Sequence, residues 1–147
     1  MADPSGASNA ILRNLRRLHV WAGLLTVAVF LLTGLAMLLM FPGAYHSNEA
    51  IRYLYRANHV YILFAGLLNV ALGLYVTPSD AAGRRILQLC GSVLLLVSPI
   101  LCVWAFVAEP WKASPSRPIT VAAVVACVVG ITFHFVSRPG ERAHGAA

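Results

Sequence analysis

Four long runs without a single Asp, Glu, Lys or Arg constrain this chain more than any other feature of its sequence. They are Leu18–Phe41, Ala57–Val76, Ile86–Ala108 and Ile119–Val136. Each is close to the ~20 residues that an α-helix needs to cross the hydrocarbon core of a bilayer. The mean hydropathy of +0.76 exceeds what one soluble core of this size can bury. The runs therefore predict an integral membrane protein.

The segments between the runs are short, which predicts that consecutive helices are antiparallel neighbours. The predicted fold is all-α, an up-down-up-down four-helix bundle in which the first and fourth helices also meet. Residues 1–10 are expected to form a disordered N-terminal segment, residues 11–137 the transmembrane domain and residues 138–147 a cytoplasmic tail. Pro99, inside the third run, removes a backbone donor and is expected to kink the helix, which neighbouring polar groups must accommodate.

The distribution of charge predicts orientation and excludes some functions. Most of the 11 Lys and Arg residues flank the runs on the side of the two termini, so both ends are expected in the cytoplasm and the protein in the bacterial inner membrane. They form no patch with interleaved aromatic residues, so the net charge of +6 does not indicate nucleic-acid binding. All acidic residues lie outside the runs, which disfavours a proton-coupled carrier. No Ser/His/Asp triad and no His/Glu metal site can be assembled from these residues, so the sequence does not indicate a hydrolase.

Small and polar residues collect on one side of each run at about 100° per residue. This pattern is expected in any transmembrane bundle, because close backbone approach and interhelical hydrogen bonds hold such helices together. Asn69 and Gln88 are the strongest instances, since a lipid-facing amide would be costly. Both are predicted to form hydrogen bonds between helices.

Three histidines are the readily titratable side chains within the runs. His19 and His134 each fall within about a turn of the same membrane face. His59 lies roughly 25 Å away toward the other face, where loop residue His46 is its nearest candidate partner. If the first and fourth helices are neighbours, His19 and His134 can approach each other across the bundle.

Two neutral imidazoles on facing helices are the ligand set of a six-coordinate haem b. Gly23 and Gly130, each four residues deeper than the neighbouring histidine, are predicted to leave room for the macrocycle. Arg16 and Arg138 are predicted to hold its propionates. Two alternatives remain open. In the first, His19 is an anchor at the lipid headgroups and His134 forms a hydrogen bond to a neighbouring helix. In the second, the two histidines sense pH or bind a metal ion.

The layout resembles that of bacterial b561-type membrane cytochromes, which have four helices and histidine ligands near the ends of the first, second and fourth. The matching positions are His19 in LHVW, His59 in NHVY and His134 in FHF. That family binds two haems through four intramembrane histidines, and here the outer partner of His59 is missing unless His46 serves. The resemblance therefore implies at most one haem b, which passes single electrons to or from quinone.

The stretch HVYILFAGLLNVALGLY, from His59 to Tyr75, is similar to segments of small uncharacterised bacterial four-helix membrane proteins. This resemblance implies no activity. The first functional expectation is therefore a structural or accessory subunit of a larger membrane complex. The alternative is an electron-transfer protein that binds haem through His19 and His134.

Overall fold

The computed structural model describes residues 4–44, 48–76, 79, 81–112 and 116–138. In these residues the fold is all-helical, and each of the four long helices is apolar enough to cross a membrane. The helices are α1 (Pro4–Ala44), α2 (Glu49–Tyr75), α3 (Ala82–Ala108) and α4 (Pro118–Val136), with one 3-10 turn at Pro110–Lys112. The cytoplasmic tail predicted for 138–147 lies outside the described residues beyond Arg138.

Two helices begin well before the uncharged runs. Residues 4–10, expected to be disordered, form the first turns of α1. The helix α2 begins at Glu49 because the side chain of Asn48 caps it, accepting a hydrogen bond from the backbone nitrogen of Ile51 at 3.1 Å. Runs defined by the absence of charge miss such turns, because Arg16 and Arg17 in α1 and Arg52 and Arg56 in α2 lie inside the helices.

Glycines close the packing of α1 against α2. A Cβ atom on Gly23 would lie 2.7 Å from the backbone oxygen of Gly66, and one on Gly73 would lie 2.8 Å from that of Arg16. The part of α1 from Arg16 to Gly23 therefore meets the second half of α2, from Gly73 back to Gly66, with the two backbones in contact.

The helices α3 and α4 pack in the same way. A Cβ atom on Gly91 would lie 2.8 Å from the backbone oxygen of Gly130, and one on Gly130 would lie 2.7 Å from Cγ of Leu95. The seam between α2 and α3 is less extensive. Two asparagines cross it, Asn58 to the carbonyl of Ala105 and Asn69 to that of Leu95.

The expected closed ring is wrong, because α1 and α4 make no extensive contact in the described part of the chain. Short connectors make consecutive helices neighbours but do not require the first and fourth to meet. The two glycines predicted to leave room for a macrocycle are Gly23 and Gly130. Both glycines are used within their own helix pairs. The bundle is thus two tight pairs joined along α2 and α3.

Candidate functional site

Asn69 joins three helices through one side-chain amide, which is fully buried. Its Oδ1 lies 2.8 Å from Nδ1 of His19 on α1, and its Nδ2 donates to the carbonyl of Leu95 on α3 at 2.7 Å. An amide oxygen can only accept, so Nδ1 of His19 carries the proton. The other ring nitrogen of His19, Nε2, is left with a free lone pair.

Pro99 explains why the amide of Asn69 is needed at this point of α3. The carbonyl of Leu95 would normally accept from the backbone nitrogen four residues later, and that residue is Pro99, which has no N–H. Asn69 and the hydroxyl of Ser98 both donate to this carbonyl instead, at 2.7 and 3.0 Å. Polar groups therefore accommodate the proline within the bundle, as its position in the sequence predicts.

His134 is held against α3 by one edge of its ring. Its Nε2 lies 3.1 Å from Oγ of Ser92. A Cβ atom on Gly91 would lie only 3.0 Å from its Cδ2, so the Cδ2 and Nε2 edge faces α3 closely. Nδ1, on the opposite side of the ring from Cδ2, points away from α3.

The two imidazoles share one property that neither sequence position reveals. Nε2 of His19 and Nδ1 of His134 are buried and have no hydrogen-bond partner among the described residues. The side chains are 0% and 7% exposed. A buried polar atom without a partner costs about 1–3 kcal/mol, so these two ring nitrogens call for an explanation.

A cavity of about 400 Å³ lies beside His134, between α2 and α4. Its walls are mainly apolar, with Leu72 from α2, Leu95 from α3 and Ile131 from α4 among the lining residues. Arg138 also lines it, and its guanidinium carbon lies 5.8 Å from the centre of the Phe135 ring. The cavity can therefore take an apolar group that carries an anion.

Three other residues predicted to serve a haem take part in helix packing. Arg16 donates to the carbonyls of Gly73 and Leu74 at 3.1 and 2.9 Å, so it caps the carboxyl end of α2. Gly23 packs against α2, and Gly130 packs against α3. Arg138 is thus the one predicted propionate partner that lines the cavity.

His59 lies apart from the other two histidines, as its position in the sequence predicts. Its Nδ1 lies 3.0 Å from Oγ1 of Thr33, and its ring stacks on Phe30 with centroids 4.0 Å apart. His46 lies outside the described residues. Gln88 is buried, and its Oε1 accepts from the backbone nitrogen of Ser79, so it fastens the connection between α2 and α3.

Sequence reasoning missed a buried charged cluster at the end of the bundle away from the termini. Glu109 is 2% exposed and accepts from the backbone nitrogens of Ile119 and Thr120 at 2.9 Å each. It also accepts from the hydroxyl of Thr120 and lies 3.6 Å from Nε of Arg117. Arg117 also donates to Oδ1 of Asn58 on α2.

The signal that could have revealed this cluster is Pro118, because proline favours the first position of a helix. A helix start attracts a carboxylate, and Glu109 is the nearest one before Pro118 in the chain. Counting Glu109 as a loop residue and Arg117 as a flanking charge concealed their pairing.

Replacing Asn69 with leucine is expected to lower the free energy of unfolding by about 1–3 kcal/mol, because the ring of His19 and the carbonyl of Leu95 both lose a buried partner. Thermal unfolding in detergent measures the change. Thr132→Val is the control, since this exposed hydroxyl bonds only within its own helix, and a shift below about 0.5 kcal/mol is expected. Equal midpoints for the two variants would contradict the role given to Asn69.

Comparisons of this chain with protein-family models, curated proteins and solved structures found no match. Its function is therefore inferred from its side chains. In the described residues, no group of three or more His, Cys, Asp or Glu side chains is placed to hold a metal ion. The two unpartnered imidazole nitrogens are the feature of the site that most needs a ligand.

Proposed function

We propose that the four helices cross the bacterial inner membrane as an up-down-up-down bundle with both termini in the cytoplasm. The apolar exterior supports this, since Trp21, Leu39 and Phe135 are 71, 72 and 70% exposed. Transfer of such surface out of water is worth about 25 cal/mol per Å². The excess of Arg and Lys beside the termini supports the orientation.

We further propose that the protein transfers single electrons through one haem b, with His19 and His134 as axial ligands. The observation that carries this proposal is the pair of buried, unpartnered ring nitrogens. Either nitrogen of a neutral imidazole can bind a metal, and the other nitrogen of a ligating histidine is usually fixed by a hydrogen bond. Asn69 and Ser92 supply those bonds here.

The residues present fit a haem better than a bare metal ion. Two imidazoles are too few for most ions, whereas a porphyrin supplies the remaining ligands itself. The cavity beside His134 offers apolar volume, and Arg138 offers a cation for a propionate. His19 is fully enclosed, so the side chains that cover its Nε2 must move when the group binds.

A bound haem would supply one-electron chemistry, with quinone as the proposed redox partner. The contribution of the protein is to hold two imidazoles in fixed orientations and to exclude water. Asn69 fixes the proton of His19 on Nδ1, and Ser92 holds the ring of His134 against α3. The mainly apolar walls of the cavity beside His134 would disfavour water next to that ring.

An absorption spectrum tests this proposal. Protein purified from haem-supplemented cells is expected to show a Soret band that shifts, and an α-band that appears, upon reduction with dithionite. His19→Ala and His134→Ala should each abolish this spectrum. His59→Ala is the matched control and should keep it, because His59 lies at the other end of the bundle. Folded wild-type protein that does not bind added haem would refute the proposal.

A structural or accessory subunit is the second candidate. It is favoured by the bonds from His19 to Asn69 and from His134 to Ser92, because structural histidines also join neighbouring helices in this way. This function predicts that replacing His19, His59 and His134 together lowers stability, because the interhelical bonds are lost, but leaves the association of the folded protein with its partner complex unchanged. Co-purification of the triple variant with its complex would support it, and loss of association would count against it.

A further inference from the structure

A groove of about 460 Å³ lies at the end of the bundle away from His19 and His134, where α1 ends and α2 begins. One wall is apolar and comes from α1, with Met37, Leu38 and Phe41. Arg52 and Arg56 of α2 line the other side. The groove is therefore apolar along its length and cationic at one side.

Among the described residues, nothing holds the two arginines away from a ligand. They stand four residues apart on α2, which places their Cβ atoms about 5–6 Å apart on one face of the helix. Neither guanidinium forms a hydrogen bond or an ion pair with another described residue. Arg117 at the same end is different, because it pairs with buried Glu109. Guanidinium groups match the geometry of phosphate, and two of them side by side suit one phosphate group.

Glu49 narrows the kind of headgroup that fits. It lines an adjoining pocket of about 280 Å³ together with Arg52, Tyr53 and Arg56. Its negative charge would repel a second phosphate, and as an acceptor it needs a donor from the headgroup. Two arginines against one carboxylate leave a net positive charge, which favours an anionic lipid whose donors are uncharged hydroxyls over one with an ammonium group. A glycerol headgroup meets this requirement.

We propose that this groove binds one anionic phospholipid of the phosphatidylglycerol type. Arg52 and Arg56 hold its phosphate, Glu49 accepts from its glycerol hydroxyls, and an acyl chain lies along the α1 wall. A lipid suits the site better than free phosphate because Leu38 in that wall is 71% exposed. The inference rests on the proposed membrane insertion and is independent of the haem.

Native mass spectrometry of the detergent-solubilised protein, titrated with phosphatidylglycerol or phosphatidylcholine, tests the site. The wild type is expected to prefer phosphatidylglycerol, and Arg52→Gln/Arg56→Gln should weaken its binding about thirtyfold, because the phosphate loses both of its charge-assisted hydrogen-bond donors. The matched control, Arg84→Gln/Arg85→Gln, changes two neighbouring arginines outside the groove and should bind as the wild type does. Equal affinity of both double variants would overturn the proposal.

Two further measurements distinguish binding of a lipid from binding of a free anion. Leu38→Trp fills the groove but keeps both charges, so it should weaken phosphatidylglycerol binding and leave the binding of inorganic phosphate unchanged. If inorganic phosphate displaces the lipid at equal concentration, the site binds a free anion and the proposal fails. Failure to enter phosphatidylcholine nanodiscs would refute membrane insertion itself, whereas inserted protein without a lipid preference would refute only this site.

Discussion

Gly23→Ala is expected to lower the free energy of unfolding by about 1–3 kcal/mol, although alanine is the better helix former. The new Cβ atom would lie 2.7 Å from the backbone oxygen of Gly66 and from the backbone nitrogen of Val70. Backbone atoms cannot rotate away as a side chain can, so α1 and α2 must separate. Unfolding in a denaturing detergent, followed by tryptophan fluorescence, measures the loss.

Alanine substitutions at two other glycines allow the loss of stability to be compared at three positions, with Gly83→Ala as the control. A Cβ atom on Gly83 would meet nothing within 4 Å, so Gly83→Ala should be neutral or should stabilise by up to about 1 kcal/mol. A Cβ atom on Gly34 would meet Cε1 of His59 at 3.1 Å, and this ring can shift slightly. The expected order of stability is therefore Gly83→Ala, then Gly34→Ala, then Gly23→Ala. Any order in which Gly23→Ala is not the lowest would contradict the close backbone contact.

Glu109→Ala is expected to lower the free energy of unfolding by about 3–5 kcal/mol, because it leaves the guanidinium of Arg117 without its buried counter-charge. The same change removes the acceptor for the backbone nitrogens at the start of α4. Glu109→Gln keeps one acceptor oxygen and should have a smaller effect. Thermal unfolding in detergent, read by circular dichroism, measures the differences.

Glu49 provides the control for Glu109, since it is also a carboxylate at a helix start but is exposed. Glu49→Ala is expected to change stability by less than about 1 kcal/mol. Adding Arg117→Leu to Glu109→Ala should recover part of the loss, because no unpaired charge then remains. If the double variant is no more stable than Glu109→Ala alone, the ion pair is not the source of the effect.

The four helices could be predicted because a span needs a long uncharged run, and such runs are visible in the sequence. The start of α2 could not be placed from that criterion, since its first two turns carry Glu49, Arg52 and Arg56. The interhelical role of Asn69 was also foreseeable, because an amide within a span needs a partner. Its actual partners depend on how the helices are aligned, which no single run reveals.

The positions of His19 and His134 show that a sequence can predict the depth of a residue without predicting which helices pack around it. The sequence predicts that they lie at the same end of the bundle and meet where α1 packs on α4. The predicted route, direct packing of α1 on α4, is wrong. The rings are positioned by α2 and α3 instead, through Asn69 and Ser92. Which helix each glycine packs against depends on the rotation of its own helix about the helix axis. Helical periodicity shows which residues share a face but not which neighbouring helix that face contacts.

The two tight helix pairs have a consequence for how the protein is made. Each pair closes through its own glycine contacts, so each can form as a separate hairpin before the two meet. Docking along α2 and α3, across Asn58 and Asn69, would then be the last step of assembly. A gene split between Val76 and Ala82 should likewise yield two fragments that reassemble in the bilayer.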